Sequence, residues 1–235
     1  MKNPPTYPTI IKETKHWIVV NKPAGMVVEG TKAGSPTIQS FLYDYLHQTE
    51  KKPYVGTVHR LDRVTTGVVL LAKKKSALKL INEQFQKRVI KKSYLALSDK
   101  APDQKEDLLT HYLFQDRELK KAIVTKATYP KTRECKLKYQ HIANSDMGYH
   151  LFQVDLLTGR YHQIRAQLAD IHCPIVGDEK YGSVAAYYQR EIALHAWQLQ
   201  FEDPVTKESV LVTAPPPNNP FWNDFKNVIL QKGNM

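Results

Sequence analysis

VGTVHRLDRVTTGVVLLAK, residues 55–73, sets two extended runs around a polar centre, and its reading decides the fold. Val55–Val58 and Gly67–Ala72 are rich in β-branched and apolar residues, the composition of strands. Between them stand His59, Arg60, Leu61, Asp62, Arg63, Val64, Thr65 and Thr66. Charged side chains in the middle of apolar strand signals point to a site, since burial without a partner is costly. Asp62 is the most informative acid, because Arg60 and Arg63 both lie near it. An extended chain would put Arg60 and Asp62 on one face. The plain alternative is an ion pair at a strand end, a contact that stabilises by only ~0–1 kcal/mol when exposed.

Working outward, Trp17–Val20 is a β-branched run that ends at the turn signal Asn21-Lys22-Pro23-Ala24-Gly25, and Met26-Val27-Val28 follows as a second strand. Ile38, Phe41, Leu42, Tyr45 and Leu46 then fall at helical spacing behind a Ser35 or Thr37 cap, which predicts a helix to about Gln48. After residue 73, Ser76 is positioned to cap a helix in which Leu80, Ile81, Gln84 and Phe85 share a face, and Lys91–Leu97 resumes as strand. Residues 99–120 are polar and mixed in charge and read as a surface excursion, with strands resuming near Ala122, Cys135 and Tyr149. The run YHLFQVDLL at 149–157 alternates as a strand and stops at Thr158-Gly159, where a second polar cluster, GRYHQIRAQLAD at 159–170, leads into a short helix starting near His162. Further strands are expected at Ala196–Phe201 and Val210–Thr213, and a final helix at Phe221–Ile229 after the three prolines 215–217. Many strands with few helices, not in strict alternation, give an α+β fold: one domain over 1–235, built on a largely antiparallel mixed sheet with flanking helices and loops, with 1–10 and 230–235 as flexible ends.

The 235 residues, 42% of them hydrophobic, suffice for one sizeable core. A formal charge of +11 favours a polyanionic partner, nucleic acid first; the bland reading is a merely basic protein. Cys135 and Cys173 stand alone, in neither a disulfide framework nor a zinc-ligand spacing, which fits a reducing compartment. The N-terminal residues lack the apolar stretch of a signal peptide and no segment approaches the ~20 apolar residues of a membrane span, so a cytoplasmic protein without a membrane partner is expected. His162, His172 and His195 have no metal-ligand spacing, so no metal and no cofactor is expected.

Four blocks in order, NKPAGMVV at 21–28, HRLDRVTTGVVLLAK at 59–73, KKSYLAL at 91–97 and LTGRYHQIRAQLADIHCPIVGDEKYG at 157–182, resemble the RluA-type pseudouridine synthases. The resemblance implies an isomerase that converts uridine to pseudouridine in structured ribosomal or transfer RNA. It implies that Asp62 is the essential aspartate, Tyr94 the tyrosine packed against the target base, Arg165 the basic partner of the aspartate, and Arg60 the side chain filling the gap left by a flipped-out uridine. Thr65-Thr66-Gly67 departs mildly from the family's Thr-Ser-Gly and keeps the hydroxyl. Only 20 residues precede the first block, so no extra N-terminal RNA-binding domain is expected.

The residues agree with these roles. Detaching uracil from ribose and rejoining it through carbon needs a group acting at the sugar, and a carboxylate serves as nucleophile or as base. Arg165 would lower the pKa of that carboxylate and orient it. Tyr94 in a strand can lay its ring on a pyrimidine, or be a core tyrosine. A stacked uridine must be flipped out at a cost of a few kcal/mol, and Arg60 is the candidate to fill its place or to clamp a phosphate. His59, Arg63, Thr66, Arg160, His162 and Lys73 complete the candidate RNA contacts, with the basic runs 73–75, 87–88 and 91–92 along a backbone path. A monomer with no obligate protein partner is expected. The competing readings are a noncatalytic RNA-binding or chaperone protein of the same fold, which would not need an acid in a basic cleft, and a metal-independent ribonuclease using His59, His162 or His195.

Overall fold

The structure is a computed structural model that describes residues 7–30, 36–125 and 130–233. In chain order its elements are β1 (Thr9–Glu13), β2 (Trp17–Lys22), α1 (Ile38–His47), β3 (Gly56–Thr57), β4 (Thr66–Ala72), α2 (Lys75–Gln86), β5 (Lys91–Ser98), β6 (Glu106–Asp116), β7 (Lys121–Thr125), β8 (Arg133–Asn144), β9 (His150–Leu156), α3 (Gln163–Asp170), a 3-10 turn at Glu179–Tyr181, β10 (Leu194–Glu202), β11 (Ser209–Thr213), α4 (Pro220–Asn223) and α5 (Lys226–Gly233). They divide into two compact units, one from the chain through Lys91 with Ala196–Pro216, the other from Lys92–His195 with the chain from Pro217 on.

In the first unit β2 lies between β1 and β4, and both pairings are antiparallel; Ile18 faces Leu71 and Val20 faces Val69. Side chains alternate across a strand, so β2 and β4 each feed two cores. Trp17, Val19, Val68 and Leu70 pack with Ile81 of α2 and with Leu199, Phe201 and Val212 of β10 and β11. Ile18, Val20, Val69 and Leu71 pack with Ile38, Leu42 and Leu46 of α1. Burial on both faces explains why these strands read as unbroken apolar runs rather than alternating ones. Each such side chain contributes about 1.5–3 kcal/mol of hydrophobic burial.

Thr37 caps α1: its hydroxyl accepts from the Ser40 amide at 2.9 Å, and Ser40 returns a bond to the Thr37 amide. Ser35, the other cap candidate, lies outside the described residues, as do residues 1–6 and 234–235 of the expected ends. Residues 9, 10 and 230–233 are not loose ends, being strand and helix. Met26-Val27-Val28 forms a single bridge from Val27 to Thr37 in place of a strand. Helix α2 starts at Lys75 after Lys74, so Ser76 sits inside it and caps nothing.

The second unit carries the antiparallel order β5-β9-β8-β6-β7. Strand β6 corrects the expectation for 99–120: eleven of those residues are strand, paired with β8 from Glu106↔Gln140 to Leu113↔Arg133. Helix α3 packs Ala166 against Leu113, Ala122, Cys135 and Tyr181. The final helix is split into α4 and α5, with Asn219 capping the first through its side chain. Helices flanking antiparallel strands make this an α+β fold, as the sequence indicates.

Candidate active site

Asp62 opens a tight turn between β3 and β4, its carbonyl accepting from the Thr65 amide at 3.1 Å. The turn is braced from below. Lys22, the last residue of β2, is fully buried, and its ammonium donates to the carbonyls of Pro23 and Met26 at 2.9 Å each and of Arg63 at 3.3 Å. An ammonium has three N–H donors, so these carbonyls match its capacity and offset its desolvation. The Gly25 amide also donates to the Arg63 carbonyl at 2.8 Å, and Arg63 Nε donates to the Gly25 carbonyl at 2.8 Å. Gly25 takes φ +81°, a left-handed conformation that suits glycine. The Asn21–Gly25 segment, which reads as a plain turn, is therefore the platform that holds Arg63, the neighbour of Asp62.

The other residues expected around Asp62 take varied places. Residues 58–62 are not strand, and Arg60 projects outward, its side chain 71% exposed with Nη1 3.4 Å from Glu29. His59 turns inward: Nε2 accepts the Leu70 amide at 3.1 Å and the ring packs on Phe85. Arg63 is exposed and tied to Gly25, and Thr66 is buried at the head of β4. Lys73 is engaged by Glu13 at 2.5 Å and Glu50 at 3.4 Å, so its charge is largely neutralised locally. Burial opposes the ammonium, but the two carboxylates prevail and raise its pKa.

In the second unit Tyr94 sits on β5 opposite Val154 and is 8% exposed. Arg165 lies in the first turn of α3, as its sequence position predicts. Its guanidinium makes a two-pronged contact with Asp178, Nε to Oδ2 at 2.6 Å and Nη2 to Oδ1 at 2.8 Å, with both side chains buried. Nη1 lies 2.9 Å from His162 Nε2. Because arginine only donates, His162 Nε2 must accept, which leaves the ring proton on Nδ1, 3.0 Å from the Tyr181 hydroxyl oxygen. That oxygen also accepts the Ala122 amide at 2.7 Å. Burial drives the Tyr181 pKa up to about 12, against the Ala122 bond and the Arg165 charge. Arg165 lies over the Tyr181 ring, 5.1 Å from its centre.

His162 holds φ +51° at the start of α3 and stacks on Tyr161, 3.9 Å between ring centres. The turn before it is pinned by Gln163, whose Oε1 accepts from the Thr158 hydroxyl at 2.8 Å and from the Arg160 amide at 3.0 Å. The Arg160 side chain is exposed and donates to the Glu134 carbonyl at 3.3 Å. Thus Arg165 and His162 meet directly. Asp178 and Tyr181, missed as individual residues, complete their cluster. The signal for Asp178 was present as the only acid in the Ile175–Asp178 turn that leads into the 3-10 segment.

A family model for RNA pseudouridylate synthase matches residues 16–170. The chain is 30% identical over 221 residues to the RNA pseudouridine synthase YhcT of Bacillus subtilis, covering 93% of this chain and 70% of that protein. It is 33% identical over 214 residues to the ribosomal large subunit pseudouridine synthase C of Buchnera aphidicola, covering 88% of this chain and 66% of that one. Several other curated relatives are longer still, the chain spanning 62% to 65% of their length. Among solved structures, human RNA pseudouridylate synthase domain containing 1 superposes with a TM-score of 0.77 at 22% identity over 94% of this chain and 89% of that one, a likeness of fold. The resemblance read from the four sequence blocks is thereby established, and the chain belongs to the RNA pseudouridylate synthases, a family of RNA-modifying isomerases.

Proposed function

We propose that this chain isomerises specific uridines of large-subunit ribosomal RNA to pseudouridine, with Asp62 acting at the ribose of a flipped-out uridine. The observation that carries the reading is the construction around Asp62: a half-exposed carboxylate at the head of a turn held by a fully buried lysine and reciprocal bonds between Arg63 and Gly25. A surface ion pair needs no such support. Names of relatives that act on the large ribosomal subunit favour that RNA over transfer RNA.

In this reading Asp62 attacks the sugar as nucleophile or removes a sugar proton as base, uracil detaches, turns and is rejoined through carbon. Tyr94 supplies a flat apolar ring for the base. Arg165 contributes directed N–H donors more than net charge, since Asp178 balances it. Arg60, extended from an exposed loop, enters the RNA stack or holds a phosphate. Arg63 and Arg160, both exposed, are the candidates for RNA contact, whereas His59, Lys73 and His162 are engaged in internal bonds and serve the fold. The reaction needs no metal or nucleotide cofactor.

Large-subunit RNA lacking pseudouridine, incubated with the purified chain in EDTA, should gain pseudouridine at discrete positions, mapped by chemical labelling. Modification that requires an added divalent ion, with the RNA folding controlled, or modification of transfer RNA alone, would contradict the proposal.

A further inference from the structure

Strands β8 and β9 bring together two imidazoles that the proposed reaction does not use. A register slip between His141 and Ala143 bulges β8, and His150 pairs with Asn144 on one side and with Ser98 of β5 on the other. The result sets His150 Nδ1 3.2 Å from His141 Nε2, with ring centres 5.1 Å apart and planes inclined by 52°. Both residues are half-exposed, so the pair is open to solvent. One proton holds the two nitrogens in a hydrogen bond, one ring donating and the other accepting.

That spacing also suits a shared ion. Two nitrogens, each about 2.05 Å from a metal and separated as these are, subtend roughly 100° at it, close to the tetrahedral angle zinc adopts. Asp99 follows Ser98, and its buried Oδ1 accepts no hydrogen bond. We propose that His141 and His150 form a two-nitrogen chelate for a divalent transition-metal ion of the zinc and copper class, with the Asp99 carboxylate beside it and water completing the coordination. Among the described residues no group of three His, Cys, Asp or Glu side chains is set to hold a metal, so the site is a two-nitrogen one. Asp99 lies close enough to His150 for their charges to interact.

The EDTA-dialysed full chain, titrated calorimetrically with zinc chloride near neutral pH, should bind one ion at this site. Affinity should fall at least tenfold in His141→Gln and in His150→Gln, and stay within twofold in His172→Gln, which removes an exposed histidine elsewhere. Wild-type affinity in either folded pair variant would overturn the proposal, leaving a simple histidine hydrogen bond. Should a pair variant fail to fold, the electron paramagnetic resonance of wild-type protein loaded with one equivalent of Cu2+ decides: superhyperfine splitting from two imidazole nitrogens supports the chelate, and from one or none refutes it.

Discussion

Lys22 and Asp178 are the two residues on which the polar architecture rests, and neither is an obvious actor in the sequence. Lys22→Met would leave three carbonyls that the ammonium now serves, those of Pro23, Met26 and Arg63. The Arg63 carbonyl keeps its bond from the Gly25 amide, so at about 1 kcal/mol or more for each of the two acceptors left unsatisfied, stability should drop by about 2 kcal/mol in denaturant unfolding. Turnover of the folded fraction should fall as the Asp62 turn loosens, with RNA affinity changed much less; unchanged turnover would show that the turn holds itself. Asp178→Ala removes the two-pronged acidic partner of the buried Arg165 guanidinium, and removing one partner of such a pair costs about 3–5 kcal/mol. Asp178→Asn, keeping the shape, should recover part of that loss. The sequence made Arg165 legible through its place in a short helix, yet it could not show that thirteen residues later an acid returns to grip it. Lysine is among the residues least often fully buried, so composition steers a reader away from Lys22.

Strand β4 is the element that ties core to site, and Gly67 sets its start. Its φ of +114° disfavours any side chain, and a Cβ there would fall 2.2 Å from the Ala196 carbonyl oxygen. Gly67→Ala should therefore destabilise by about 4 kcal/mol or more, seen as loss of soluble folded protein or a sharp fall in thermal midpoint; a wild-type midpoint would contradict the packing. The strands buried on both faces, β2 and β4, are legible because they are apolar throughout. Strand β6 is not: in EDLLTHYLFQD only Leu109 and Leu113 are buried, so charge and polarity hide an extended chain whose evidence is its pairing with β8. The start of α2 misleads in another way, because Ser76 looks like a cap while the helix begins one residue earlier without a side-chain cap. Propensity locates an element better than its end.

At the scale of the whole molecule, charge and chemistry separate. A chain of net charge +11 should bind RNA with an affinity that falls steeply as salt rises, the slope of log affinity against log salt reporting the phosphates contacted. A flat dependence between 50 and 200 mM salt, about the range over which such contacts weaken strongly, would remove the basic surface as the docking face. Binding of this kind is within reach of any basic protein, whereas turnover in the proposed reaction rests on the Asp62 carboxylate. Asp62→Asn separates the two, since it preserves size and most hydrogen-bonding capacity while removing the anion needed by a nucleophile or a base. The decisive measurement is tritium release from ribosomal RNA labelled at carbon 5 of uracil, made on one preparation of Asp62→Asn with its RNA affinity and thermal unfolding. The account predicts release reduced by at least about a thousandfold, with wild-type unfolding and RNA binding equal to wild type or slightly tighter. Near-normal release from the folded variant would contradict it.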